Sequence, residues 1–370
     1  MMKRILALLA CLLVLVGGAQ AADPIAREVE RLAGGIIACE MAKSGAATEQ
    51  AWIDGALTES AGQGAEWYVF TLSQRGAYDF SRYREALAAY IDRAGNRSAV
   101  TQQKHALVAL AAGGEISDCT DTIGAQGIMS WVFGLHLLHN GVELEGYTTA
   151  SAADMLVSLQ LADGGFALSG QYADVDVTAM VLQALAPMKE DYADAIEKGI
   201  ACLASKQQPG GGFKSYGVSN PESEAQVVIA LTALGLDPRT DPRFSGDMTR
   251  AWEQFRLEDG SYSHIAGGKR NENACTQVLL ALAALSRFDA GKGSLYLLDA
   301  PSEDLPEISF PEESTKEESV MESSSEEEST AQPPAPTEEE GMSFPRKAVL
   351  IVSILLAAVS LGYLLLPKRK

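Results

Sequence analysis

The segment Gln160-Leu161-Ala162-Asp163-Gly164-Gly165-Phe166 recurs as Gln207-Gln208-Pro209-Gly210-Gly211-Gly212-Phe213 and, with its first residue exchanged, as Arg256-Leu257-Glu258-Asp259-Gly260-Ser261-Tyr262. The closing aromatics Phe166, Phe213 and Tyr262 are 47 and 49 residues apart. Each copy is followed by an Ala/Leu-rich run: Thr178 to Leu185, Ala225 to Leu231, and Thr276 to Leu282. A period of this length holds two helices and their turns, so the chain reads as a repeat of helix pairs. Within each motif, paired glycines permit a tight turn of positive φ, and the aromatic plugs the gap between successive pairs. The motif is therefore structural, and chemistry is to be sought elsewhere.

The two helices of a pair differ in pattern. Runs such as 225 to 231 are apolar nearly all round, as a helix surrounded by others must be, whereas Asp191 to Lys206 carries one apolar stripe opposite charges. The former are inner helices and the latter outer ones. Weaker inner-type runs lie upstream at Trp67 to Ser73, Lys104 to Ala112 and Ile128 to Leu138, with amphipathic Phe80 to Ile91 and Ala150 to Leu159 between them. Pro24 to Lys43 is expected as the remaining outer helix that closes a ring. The fold class expected is all-α, with about six inner and six outer helices, over residues 22–300.

Both chain ends carry membrane signals. Lys3 and Arg4 precede the apolar stretch Ile5 to Val16 and the small residues ending Ala19-Gln20-Ala21, the pattern of a signal peptide over residues 1–21. Residues 348 to 366 are uncharged and are bounded by Arg346-Lys347 and Lys368-Arg369-Lys370. Residues 346–370 are therefore expected as a transmembrane anchor with a cytoplasmic basic tail, the bulk of the chain lying outside the cell membrane. Between body and anchor, residues 301–345 mix Glu, Ser, Thr and Pro with few large apolar side chains. Such a segment cannot offset its ordering entropy and reads as a disordered acidic stalk.

Charge excludes one class of partner. The formal net charge is −20, which repels phosphate backbones, and there is no basic patch to suggest nucleic-acid binding. Residues 301 to 341 alone hold 14 acids and one lysine.

The Gln-and-aromatic segments at 160–166 and 207–213 resemble those of the prenyltransferase and squalene-cyclase superfamily, whose fold is an α/α toroid. The resemblance covers roughly residues 30 to 290, and it implies a cavity whose mouth is ringed by the N-terminal ends of the inner helices. Polar residues at those ends are the site candidates: Asp174, Asp176 and Thr178; Glu222 and Glu224; Glu272 and Asn273; with Gln126 and Gln102 as weaker ones. Capping of free N–H groups and complementing the helix dipole is the bland alternative for each. Asp174-Val175-Asp176-Val177-Thr178-Ala179 is similar to the Asp-x-Asp-Asp-Thr-Ala motif of squalene–hopene cyclases, which implies Asp176 at the proton donor's position. Val177 stands where the last Asp belongs, which removes a neighbour that poises that proton. The zinc site of protein prenyltransferases is not matched: in Asn273-Ala274-Cys275 an amide replaces the acid, and no His follows Cys275. His136 and His139 lie one turn apart without a third ligand nearby. A Cys-Gly-x-x-Gln thioester is absent. No metal-ligand set is read from these residues, and they name no cofactor.

After cleavage Cys39, Cys119, Cys202 and Cys275 remain. Export permits disulfides among them, while helical runs around Cys39 and Cys202 fit buried thiols.

The function expected is that of an exported, membrane-anchored, non-catalytic domain binding a ligand or partner at the mouth of its ring. Cobalamin carriers of the intrinsic-factor type resemble it in using a toroid as a binder, although their second domain has no counterpart here. The alternative is a glycan hydrolase or lyase with Asp176 and Glu224 as paired carboxylates, about 10 Å apart on packed helices. A terpenoid cyclase is a more remote enzyme reading. A docking module with a plugged ring is a third reading.

Overall fold

The computed structural model describes residues 24–95, 97–116 and 119–299. The expected signal peptide, stalk and anchor lie outside the described residues. Among the described residues no helix is long and apolar enough to cross a membrane.

The chain is all-α apart from one small hairpin. In order it forms α1 (Pro24–Ser44), α2 (Glu49–Trp52, running on as a π turn, Ile53–Leu57), α3 (Glu66–Ser73), α4 (Ser81–Arg93), α5 (Ala99–Ala111), α6 (Gly127–His139), α7 (Thr149–Ser158), α8 (Val175–Leu185), α9 (Ala193–Lys206), β1 (Lys214–Ser215), β2 (Val218–Ser219), α10 (Pro221–Leu234), a 3-10 stretch (Met248–Phe255) and α11 (Glu272–Asp289). Six helices form a cycle: α3 packs on α5, α5 on α6, α6 on α8, α8 on α10, α10 on α11, and α11 returns to α3. Outside them α4 packs on α5, α7 on α6, α9 on α8, the 3-10 stretch on α10, and α1 on α11, while the π turn after α2 lies against α3 and α4.

Burial follows this division. In α10 every residue from Pro221 to Thr232 is buried, whereas α9 buries only Ala195, Ile196, Gly199, Ile200, Cys202 and Leu203. The outer element of the last complete pair is not an α-helix. Its apolar residues Met248, Ala251, Trp252 and Phe255 are buried, and the stretch packs on α10. The helix α2 was not evident in the sequence because four residues and a π turn show no clear helical period.

The repeated glycine motif makes one turn three times. Gly164, Gly211 and Gly260 have φ of +84°, +88° and +87°. In each copy the same bond closes the turn, from Leu161 N–H to Gly165 O (2.9 Å), Gln208 N–H to Gly212 O (2.8 Å) and Leu257 N–H to Ser261 O (2.8 Å). A side chain at Gly164 would come within 2.6 Å of the Lys198 carbonyl, so close approach as well as φ demands glycine there. Gln160 Nε2 donates to Gly164 O and to Ala195 O on α9, both at 2.8 Å, and Gln207 Nε2 donates to Gly211 O at 2.8 Å. The glutamine of the first two copies thus ties its turn to the framework. Phe166, Phe213 and Tyr262 are buried at 0–1% exposure.

Trp67 and Phe70 from α3, Phe133 and His136 from α6, and Tyr296 from the segment after α11 form one aromatic cluster, with ring centroids 4.4–6.4 Å apart. Asn140 fastens that last segment, donating to Tyr296 O (2.8 Å) and accepting from Leu298 N–H (2.9 Å). Arg287 holds it from α11 through Asp299.

Candidate functional site

The starts of α8 and α10 place four of the expected residues close together in space, but they do different jobs. Asp174 is the N-cap of α8: its carboxylate accepts from Asp176 N–H (2.9 Å) and Val177 N–H (3.0 Å), as short polar side chains do at helix starts. Thr178 is fully buried. Its hydroxyl accepts from Phe166 N–H (2.9 Å) and donates to Phe166 O (3.3 Å), so it latches the glycine turn and offers nothing to a ligand.

Asp176 is left free for chemistry. Its Oδ1 is buried without a hydrogen-bond partner. Burial pushes the carboxyl up to about 6; the Ser223 and Ser215 hydroxyls pull the other way, and the negative charges of Asp174 and Glu222 push further. The carboxyl is therefore poised to exchange a proton near neutral pH.

The acid that faces Asp176 is Glu222 and not Glu224. Glu222 is 8% exposed, its Oε1 bonded to His264 Nδ1 at 2.9 Å and its Oε2 without a partner. Residues two apart on a helix point about 200° away from each other, so the two glutamates of α10 cannot share a face. Glu224 turns instead toward the 3-10 stretch and the glycine turn. Its Oε2 lies 3.5 Å from where a side chain at Gly212 would begin, and the charge acting on it is that of Asp247. The expected pair of Asp176 with Glu224 is corrected to Asp176 with Glu222.

Glu224 occupies an informative register. It lies four residues after the N-cap Asn220, as Thr178 follows Asp174 and Cys275 follows Asn271. The other two latch their turns, Cys275 Sγ accepting from Tyr262 N–H at 3.3 Å. Glu224 is 0% exposed, both its oxygens lack a partner, and burial raises its carboxyl well above the usual range.

Glu272 and Asn273 do not join the Asp176 group through any of their contacts. Glu272 accepts from the Tyr68 hydroxyl (2.6 Å), Arg270 (2.9 Å) and Lys43 (3.4 Å). Burial raises its carboxyl, but the Tyr68 hydroxyl and the two cations outweigh that and hold it low. With Glu40, which also pairs with Arg270 and Lys43, it forms a compensated cluster where α1, α3 and α11 meet. Asn273 is exposed, and its carbonyl accepts from the Thr276 hydroxyl at 2.9 Å. Gln126 accepts from Val100 N–H and Gln102 donates to Arg97 O, so both serve the ends of α5.

Sequence reasoning missed His264, because an isolated histidine 42 residues from its partner carries no local signal. It missed the glutamine belt as well. Gln183 donates to Gln226 O and Oε1, each at 2.9 Å, and Gln226 donates to Gln277, which links α8, α10 and α11 beneath the acids. Two loop tyrosines complete the surface: Tyr172 is 91% and Tyr216 88% exposed. Tyr262 is buried, as its place in the repeated motif implies.

The remaining candidates are structural. His136 stacks on Tyr296 and His139 Nε2 meets Ala184 O at 3.0 Å. Cys39, Cys202 and Cys275 are free thiols, and Cys119 is buried. Among the described residues no group of three or more His, Cys, Asp or Glu could hold a metal ion. A depression of about 580 Å³ after α6, lined by Leu138, Val142, Leu144 and Tyr147 with Glu143 and Glu145, is remote from Asp176 in the fold and has no buried titratable group in its lining.

No known family profile matches the chain, and no curated protein does. Among solved structures it is similar to ent-copalyl diphosphate synthase from Streptomyces platensis, at 16% identity and a TM-score of 0.42. That match covers 68% of this chain, which spans about half (53%) of the other protein.

Proposed function

We propose that the chain is an exported, membrane-tethered α/α toroid of the prenyltransferase-like kind that binds a partner on its rim and is not itself a catalyst. The signal peptide, stalk and anchor read from residues 1–21, 301–345 and 346–370 support the location. The observation that carries the binding reading is the exposure of two rings: Tyr172 and Tyr216 stand almost fully in solvent on the loops that lead into α8 and α10. Large exposed aromatics are the residues interfaces use as anchors.

The test is photo-crosslinking of the full chain in its own membrane, with the reactive side chain at position 216 or 172 and a control at Met155 on α7. A discrete adduct is expected from the rim positions alone. Equal labelling from position 155, or none from the rim, overturns the reading. The enzyme alternative is favoured by one observation, the Asp176 carboxyl raised to about 6, which suits a general acid; release of reducing ends from a glycan, abolished by Asp176→Asn, would establish it.

A further inference from the structure

We infer that Asp176 and Glu222 form a receptor for a primary ammonium group, the end of a lysine side chain presented by a protein partner. The inference rests on the rim-binding reading and names what that rim takes.

Asp176 and Glu222 hold the same position, two residues after the N-cap, on the neighbouring inner helices α8 and α10, which pack on each other. His264 grips Glu222 Oε1 and thereby fixes the carboxylate, leaving Oε2 unpartnered on a side chain that is 8% exposed. Asp176 Oδ1 is buried and unpartnered in the same way. Several other acids of the fold are paired with arginine: Asp237 and Asp289 with Arg239, Asp241 with Arg243, Asp299 with Arg287, Glu40 with Arg270. Buried carboxyl groups without a counter-ion are costly, so a cation supplied from outside is favoured here.

The geometry selects the cation. A divalent metal needs more donors than the site supplies, since no cluster of three ligating groups exists among the described residues. A guanidinium needs paired acceptors in one plane, whereas an ammonium is a compact charge with three rotatable donors. Asp176 Oδ1, Glu222 Oε2 and the neighbouring Ser223 hydroxyl, whose oxygen is likewise buried without a partner, number three acceptors for three donors. The surroundings argue for a lysine on a larger partner. Tyr216 sits at the tip of the hairpin with φ +48°, followed by Gly217 at +84°. That left-handed backbone is uncommon for a bulky residue, and the ring it carries is 88% exposed. Tyr172 flanks the other side, and Leu168, Val218 and Ile265 on the same loops are 42–51% exposed. Aromatic rings cover an alkyl stem and attract its charged end, while the apolar fringe fits a protein surface. The sign is complementary: removing residues 301 to 341 and the basic ends leaves a charge of −14 on residues 22 to 300.

The test uses the full chain in neutral phosphatidylcholine nanodiscs. It is titrated with acetyl-Gly-Lys-Gly-amide, the same peptide carrying norleucine, and n-butylamine, and binding is read by calorimetry and by the His264 ring resonances. The lysine peptide is expected to bind at least tenfold more tightly than the norleucine peptide and several-fold more tightly than butylamine. Asp176→Asn with Glu222→Gln should remove that preference, and Tyr216→Ala should weaken binding several-fold. Equal binding of the norleucine peptide, or a preference unchanged by the double substitution, overturns the inference. Butylamine binding as tightly as the peptide overturns the protein partner in favour of a free amine. Should the double variant not fold, the wild-type His264 shift still decides, because only an occupant of the carboxylate pair moves it. Rim crosslinking that persists while the lysine peptide is silent overturns the ammonium receptor alone, and loss of both overturns the rim reading as well.

Discussion

Replacing Glu224 by glutamine should stabilise the protein at alkaline pH and do little at acid pH. Glu224 is fully buried between α10, the Gly210–Phe213 turn and the 3-10 stretch, with two unpartnered oxygens and only the like charge of Asp247 acting on it. Its carboxyl is raised in the folded state, so the native protein holds a proton there that the unfolded chain releases above about 4.5. The sign follows: the contribution of Glu224 to stability is complete below about 4.5 and is lost as pH rises toward the folded value, at up to about 1.4 kcal/mol per pH unit in that window. Glutamine keeps the shape and does not titrate. An unsatisfied buried polar group costs about 1–3 kcal/mol, and the amide retains part of that penalty, so the gain at pH 8 is expected at about 1–3 kcal/mol. The assay is urea unfolding of wild type and Glu224→Gln at pH 5 and pH 8, followed by far-UV circular dichroism. Only the difference between the two proteins is used, because the lowered carboxyls of Asp237, Asp241, Asp259 and Asp299 impose the opposite slope on both. A stability difference that is the same at both pH values, or a variant less stable at pH 8, refutes the reasoning.

Three further outcomes follow from named contacts. Thr178→Val removes the hydroxyl that both accepts from and donates to Phe166 and leaves that N–H buried, so a loss of about 1–3 kcal/mol is expected in the same unfolding assay. Tyr296→Ala opens the aromatic cluster and should cost about 3–5 kcal/mol, read as a lowered melting temperature; a neutral result would mean the segment after α11 does not hold the ring shut. His136 is buried neutral, its ring pushed down to about 3 by burial. Its contribution is present above about 6.5 and is lost as pH falls through that window, so His136→Phe should flatten the acid limb of stability between pH 6 and pH 4.

The class of fold was legible because its determinants are local. A glycine turn needs its positive φ wherever it occurs, and the difference between an all-round apolar helix such as α10 and a striped one such as α9 is written in consecutive residues. The aromatic residues Phe166, Phe213 and Tyr262 could be read as plugs for the same reason. The acids at the helix starts were legible as a set, since all of them lie within a turn of an N-cap. Their separate roles were not, because a cap, a latch and a free carboxyl are chemically alike until their neighbours are known.

By itself the sequence determined that this is a repeat of helix pairs with acids at the starts of its inner helices, and its two ends are the ground on which export and tethering are proposed. Tertiary structure alone decided which acids meet. Helix rotation turns Glu222 toward Asp176 and Glu224 away from it, and packing brings His264 to Glu222 across 42 residues and Glu272 to Tyr68 across 204. It also decided the aromatic cluster, because Tyr296 reaches Trp67 and His136 only once α11 has returned to α3. Such contacts depend on the relative positions of whole elements, and no window of consecutive residues contains them.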